Sequence, residues 1–494
     1  MNNDQKRTVL AFVLAGVIVF TWQALFSPTQ NTQTQVKQEQ STAQTQTQTN
    51  SETTSQESTT PKAIATSSAK ATNLKSVTLE NGPYSYTVNS DLSFKAATGN
   101  KTAMSLKELS DKDNFFAFKV IDINNNLQNF NFVFDEKTSP NEVVANDLEK
   151  NISIRLSLLD DGRLSYEIEG TQDFRLSYNM SSSEKQSDNR TYRQYILQTV
   201  DTERLNLESD ENGEGKLKWL GLDFNHHVFL NVFNEKQTIN YLTTESGDAF
   251  FQTVRGKKTY NGYMLYALKN YDYLLAFDDQ LDLSIDFGIF GIFAVPILKA
   301  MQFVYKYVGN YGIAIILLTL VIRIATYPLQ AKSFRSMKKM QKLQPEIAKL
   351  KEKYADDPMK QQKATMELFK RSGASPLGGC LPMVLQIPIF IAFYQAISNS
   401  VELVGSPFYF WLTDLSAKDP YYILPAIMGI TMLAQTRLNP STSADPNQQK
   451  IMYIMPIVFI FIMKDLPAGL NLYFAVSNIL GIAQQLYVYK TADA

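Results

Sequence analysis

The chain has one cysteine, Cys380, and two histidines, His226 and His227, in 494 residues. A single thiol excludes an intrachain disulfide framework and a four-cysteine metal site. Two adjacent histidines give poor support to a Ser-His-Asp hydrolase or a multi-histidine zinc centre. The sequence contains no G-x-x-x-x-G-K-[ST] phosphate loop and no tandem repeat. Its long apolar segments carry no Asp or Glu deep inside, which removes the carriers that a proton relay through them would need. No metal, cofactor or soluble-enzyme chemistry is expected.

What is present is hidden by the averages. The net charge is −1 and the mean hydropathy −0.19. Residues 28–285 nevertheless hold 25 Lys/Arg against 35 Asp/Glu, a balance of −10, and 332–372 holds 12 against 5, a balance of +7. Apolar runs flank that basic block, so the near-zero sum joins opposed regions.

Residues 1–27 read as an uncleaved signal anchor: Lys6 and Arg7 precede the apolar run Val9–Phe26, whose end lacks a small-x-small cleavage pattern and carries Trp22. Residues 28–73, rich in Gln, Thr, Ser and Asn, have little to bury and read as a disordered linker. Residues 74–285 show period two, as in Tyr84-x-Tyr86-x-Val88 and Phe130-x-Phe132-x-Phe134. Ile152-x-Ile154-x-Leu156-x-Leu158, Asp161-Gly162 and Leu164-x-Tyr166-x-Ile168 predict a hairpin with a tight turn. Many short strands in one block predict a two-sheet sandwich with its own core, in which His226, His227 and Asp223 pack rather than catalyse. In 286–310, Phe287, Phe290, Phe293 and Ile297 predict an amphipathic helix in the outer membrane interface.

Residues 311–494 contain five further apolar segments, about 311–330, 377–397, 421–438, 451–463 and 466–489. The fourth, 13 residues between Lys450 and Lys464, is short for a bilayer, which leaves either snorkelling lysines or thinned membrane. Six spans with the N-terminus inside put the C-terminus and 332–372 inside too, where the positive-inside rule wants the basic block. Met340, Leu343, Ile347, Leu350 and Tyr354 form one seam of a helical hairpin there; Met359, Met366 and Phe369 supply its returning face, and Pro345 predicts a kink or a helix start. The lysines of that block (Lys338, Lys339, Lys342, Lys349, Lys351) either face solvent and lipid or dock ribosomal RNA, anionic lipid or a nascent chain.

Arg323 is the one charge inside a span that needs an explanation. Thr319, Thr326 and Gln330 share its helix face, a polar stripe that a merely snorkelling arginine would not need. Gln386, Gln435, Tyr473 and Ser477 offer polar partners on other spans. A cavity with one fixed positive charge and no counter-ion would attract acidic peptide segments. An anion or small-solute transporter using Arg323 remains the alternative.

The segments together resemble the YidC family of membrane protein insertases, in its Gram-negative form with a large periplasmic domain. The resemblance rests on Arg323 with Tyr327-Pro328-Leu329, on Ser375-Pro376-Leu377-Gly378-Gly379-Cys380, and on Gln386-x-Pro388-Ile389-Phe390. Asp414-Leu415-Ser416, Asp419-Pro420-Tyr421-Tyr422, Gln448-Gln449-Lys450 and Pro467-x-Gly469-Leu470 continue it in order. It implies a multi-pass inner-membrane protein with a five-helix core around a hydrophilic groove and a galactose-mutarotase-like sandwich. Nascent membrane proteins, the Sec translocon, the ribosome and lipids would be its partners, with no small-molecule substrate. Two departures stand out. The chain ends soon after Tyr489 without a long basic tail, which weakens ribosome contact there, and the aromatic pair often Tyr-Tyr is here Tyr473-Phe474.

Overall fold

The computed structural model describes residues 74–491, apart from 99–115, 123, 136–138, 182–193, 200–201, 207–209, 225, 245–246, 356, 374–380 and 439–445. The anchor (1–27), the linker (28–73) and the Ser375–Cys380 motif lie outside the described residues.

The expected hairpin forms. Ile152–Leu158 pairs antiparallel with Arg163–Ser181, with Leu158 opposite Leu164 and Ile154 opposite Ile168. Alternate side chains are buried, as period two requires. Gly162 closes the turn at φ +84, and a Cβ there would overlap the Tyr84 ring at 2.5 Å, so backbone and space both demand glycine.

Most strands are short, as expected, but the two longest are not. Arg163–Ser181 has 19 residues and His227–Thr243 has 17. Each changes partners along its length: on the first, residues 163–170 pair with Ile152–Leu158 and Lys257–Leu268, whereas 175–181 pair with Asp248–Thr253 and Ala117–Ile121. The result is a twelve-stranded sheet beside a three-stranded one formed by Ser76–Asn81, Tyr84–Asn89 and Phe94–Thr98. A strand that continues while its neighbours change leaves no mark on a period-two pattern. Phe130 and Phe132 belong to no strand; they are buried on extended backbone with rings stacked at 4.9 Å.

Phe94, Phe116, Phe118, Tyr166, Tyr178 and Phe229 fill one side of the large sheet, each fully buried ring contributing about 1.5–3 kcal/mol. On the strand His227–Thr243, Phe229 and Phe233 face that core while Val228, Leu230 and Val232 face the opposite way. That second face is covered by helices. α1 (Tyr271–Leu275) brings Leu274, and α2 (Gly291–Val308) brings Ala294, Leu298 and Met301. The same apolar cluster runs on into α3 (Tyr311–Lys353), α5 (Leu381–Asn399) and α8 (Ala468–Thr491). The β-rich region therefore shares a core with the helices, beyond the core of its own expected from the sequence.

α2 begins after Phe287 and Phe290, and of the residues expected on its apolar face it carries Phe293 and Ile297. Its buried side is Ala294, Leu298 and Met301, while Phe293 (54%) and Ile292 (76%) are exposed. The helix is apolar on both sides, and the smaller residues permit close packing on its neighbours.

α3 runs unbroken for 43 residues through Pro328 and Pro345, about 65 Å of helix. The predicted helix start at Pro345 is overturned. α3 is also the one helix, among the described residues, long and apolar enough by length and composition to cross a membrane. α4 (Pro358–Arg371) starts as expected, with the Asp357 carboxylate accepting the Lys360 N–H at 3.1 Å. It returns against α3 through Leu368 and Phe369 on Met340, Leu343 and Ile347. Met359 and Met366, expected in that seam, are instead 56% and 55% exposed. α6 (Ile423–Leu438) and α7 (Pro446–Met463) complete the helices. At 18 residues α7 extends past the 13-residue apolar run, to about 27 Å, by adding the polar turn 446–450.

Candidate functional site

α3 and α8 pack along one another, and each turns a polar row toward the other. On α3 the row is Thr319, Arg323, Thr326 and Gln330; on α8 it is Tyr473, Ser477, Gly481 and Gln484, spaced four, four and three. Arg323 is 9% exposed. Its Nε and Nη2 donate to Ser477 Oγ at 3.0 and 2.7 Å, and Nη1 donates to Gln330 Oε1 at 2.9 Å. Gln330 Nε2 in turn donates to Thr326 Oγ1 at 2.8 Å. Gln484 Nε2 donates to the Arg323 carbonyl at 3.2 Å, tying the helices a second time. Thr319 and Thr326 donate their hydroxyls to carbonyls one turn back, Ile315 at 2.6 Å and Ile322 at 2.8 Å.

α5 closes the third side. Gln386 Nε2 donates to the Tyr473 hydroxyl, and the Tyr473 ring stacks on Phe393 at 4.1 Å. Apart from Arg323, the described residues lining the space are uncharged: Thr319, Thr326, Gln330, Gln386, Tyr473 and Ser477, with Ile322 and Ile389 at the edge. The charge is solvated by fixed dipoles, each hydrogen bond to it worth about 1.5–3 kcal/mol against the cost of burying a cation. The cavity left between them is about 10 Å³, room for one water at most.

Six of the eight residues expected in the groove thus meet around one point: Arg323, Thr319, Thr326, Gln386, Tyr473 and Ser477. Gln435 sits half-buried on α6 away from them, and Phe474 packs on Phe390 at 5.0 Å. Gly481 is a member that sequence reasoning missed. A Cβ there would stand 3.2 Å from Arg323 Nη1, so the guanidinium packs closely over this glycine and would have to give by a few tenths of an ångström for a larger residue. Its spacing of four from Ser477 and eight from Tyr473 was the available signal.

The basic arm is less uniform than its sequence. Lys339, Lys342 and Lys349 are exposed and Lys351 is half-buried. Lys338 turns inward, donating to the Tyr489 carbonyl at the end of α8 and lying 5.6 Å over the Tyr489 ring. Lys349 joins Lys353 and Arg371 with Glu346 and Glu367 around an open groove of 360 Å³ between α3 and α4.

In the β-rich region, Asp223 is held by two buried cations. Lys269 Nζ donates to it at 2.8 Å and Arg204 Nη1 at 3.0 Å. Among the described residues no cluster of His, Cys, Asp and Glu is arranged for a metal. Burial lowers both histidines from the usual 6.5, and burial with the adjacent imidazole and Lys269 takes His227 down to about 4. The unfolded chain then binds more protons than the folded one between those values, so stability is full above about pH 6.5 and falls as pH drops toward 4. The thermal midpoint is expected to drop by several degrees from about pH 7 to pH 5, and His227→Phe should flatten that fall. Equal slopes in the two proteins would locate the dependence elsewhere.

Comparison with known proteins places these helices in company. Residues 303–494 match the family model described as 60Kd inner membrane protein. The "Membrane protein insertase YidC" of Citrifermentans bemidjiense is 50% identical over 225 residues, 46% of this chain and 42% of the relative. That of Syntrophus aciditrophicus is 40% identical over 310 residues, 60% of this chain and 57% of the relative. The chain thus matches about half the length of these relatives. A solved structure described as "Active YidC insertase crystal structure with the first transmembrane domain resolved" aligns over 84% of this chain and 92% of its own, at 20% identity and a TM-score of 0.39. The transporter alternative has no support among these relatives.

Proposed function

We propose, because residues 303–494 match the 60Kd inner membrane protein family model and the chain is similar to YidC membrane protein insertases, that this chain inserts and helps fold integral inner-membrane proteins. The observation that carries the reading is Arg323: a buried cation held by neutral side chains, with no counter-ion among the described residues that line its cavity. A client's polar flank, above all an acidic one, would replace Ser477 and Gln330 as its acceptors and so lose less on leaving water.

The site as it stands is nearly closed, so a client must widen it. α5 touches α3 and α8 far less than those two touch each other, which makes the α5 side the route of opening toward lipid. The client's apolar segment would leave by that side as its polar flank passes the arginine. No nucleotide or metal enters this scheme, and it is not an enzymatic one.

The proposed topology has six spans: 1–27, then about 311–330, 377–397, 421–438, 451–463 and 466–489. Both termini and the α3–α4 arm are cytoplasmic, the β-rich region (74–285) is periplasmic with a galactose-mutarotase-like sandwich, and 286–310 lies in the interface. The balance of −10 in 28–285 against +7 in 332–372 supports this orientation. Nascent chains, the Sec translocon, lipids and the ribosome are the proposed partners.

A photo-crosslinker at Gln386, on the α5 wall of the site, should capture nascent membrane proteins, while one at Phe461, 65% exposed on α7, should yield lipid adducts. Capture at Phe461 but never at Gln386 would remove the site from the client's path.

A further inference from the structure

Residues 400–422 join α5 to α6, and their backbone is tightly held. The Phe408 N–H donates to the Leu412 carbonyl at 2.8 Å, and the Leu415 N–H donates to Ser406 at 3.0 Å. Asp419, fully buried, accepts the Trp411 indole N–H at 3.0 Å and the Tyr421 and Leu424 N–H groups at 3.1 and 2.7 Å. Carbonyls of the same loop receive the first turn of α8: Ala468 N–H on Ala417 at 2.7 Å and Gly469 N–H on Leu415 at 2.8 Å. Asn310, which caps α3, donates to the Pro407 carbonyl at 3.4 Å. The starts of α3, α6 and α8 and the end of α5 are therefore fixed at one level by this loop.

On that rigid frame Phe410 is 92% exposed at φ +61, a left-handed conformation strained for a residue with a Cβ. Tyr422 repeats the pattern, 44% exposed at φ +57, and Tyr409 and Tyr421 are 53% and 68% exposed. A phenyl ring held in water on strained backbone is unfavourable on both counts, and here the surrounding hydrogen bonds hold it so. Beside the aromatic rings stand charges that prefer water, Lys418 and the Lys464–Asp465 pair.

We propose that the 400–422 loop is an aromatic anchor, with Phe410 seated among lipids at the boundary between headgroups and acyl chains. The occupant is lipid because the loop's depth is set by the ends of apolar helices. Its exposed residues are also of the types that collect at that boundary: ring inward, polar tip or charge outward. This rests on the reading of α3, α5, α6 and α8 as spans.

The test uses full-length protein in phosphatidylcholine vesicles carrying bromine at a shallow or a deep acyl position. Trp411 emission is taken as the difference between the parent and Trp411→Phe. Shallow bromine should quench it at least twofold more than deep bromine. Phe410→Trp in the Trp411→Phe chain, reporting from position 410 itself, should show the same order. Emission indifferent to bromine at either depth in both proteins would overturn the anchor and leave a water-facing or protein-facing loop. Quenching does not depend on which side the loop lies. A Thr413→Cys, Cys380→Ser chain labelled with impermeant maleimide in spheroplasts therefore tests the topology separately. Labelling only after lysis would sink the topology while the quenching result stood on its own.

Discussion

Arg323→Glu is expected to lower insertion of clients with acidic flanks by about tenfold to a hundredfold, matching the few kcal/mol that a charge at mid-membrane depth is worth. The substitution isolates the field from the packing. Ser477 can donate as well as accept, and the Gln330 amide can turn its NH₂ toward the new carboxylate, so the hydrogen-bonding partners survive while the sign reverses. Arg323→Lys keeps the charge but loses the fork that spans Ser477 and Gln330, and a smaller loss, about two- to fivefold, is expected. Insertion is read by protease protection of nascent clients in proteoliposomes, alongside the thermal midpoint of each variant. Wild-type insertion by a well-folded Arg323→Glu protein would end the role assigned to this charge.

The second large effect lies at the seam between the β-rich region and the helices. Asp223→Ala should destabilise the fold by about 3–5 kcal/mol, because it takes from buried Lys269 its carboxylate and leaves Arg204 with the Asp286 carboxylate alone. Lys269 and Arg204 side chains are each 6% exposed, and Arg204 also reaches the Ser284 carbonyl at 2.6 Å and Asp286 at 3.5 Å, just before α2. Denaturant unfolding followed through the buried Trp219 gives the measurement. Removing one cation as well, in Asp223→Ala with Lys269→Met, should recover part of the loss. A cost below about 1 kcal/mol for Asp223→Ala would mean that water or another group already solvates the cations.

Much of the site was legible because helical spacing is local. Thr319, Arg323, Thr326 and Gln330 fall on one face of any helix through them, and an arginine there without an acid demands neutral partners. The β-hairpin at Asp161-Gly162 was legible for the same reason, since two residues of turn chemistry and period two suffice. What failed needed distant information. The exposed Met359 and Met366 are as apolar as the residues that do form the seam, and only the rotation of α4 on α3 chooses between them. In α2 close packing selected Ala294 and left Phe293 outside, a choice between two apolar sides that spacing alone does not make.

The sequence by itself determined the periodicities, the opposed charges of the two large regions and the one arginine that cannot be ignored, all of which follow from residues within a few turns of each other. Only the tertiary structure decided that Ser477, 154 residues away, holds that arginine, that Gly481 makes room for it, and that Gln435 stays apart. It also carried α3 through two prolines, and it set Phe410 outward on strained backbone. These are choices among locally equivalent faces and conformations, and their energies come from groups that are neighbours only after the chain has folded.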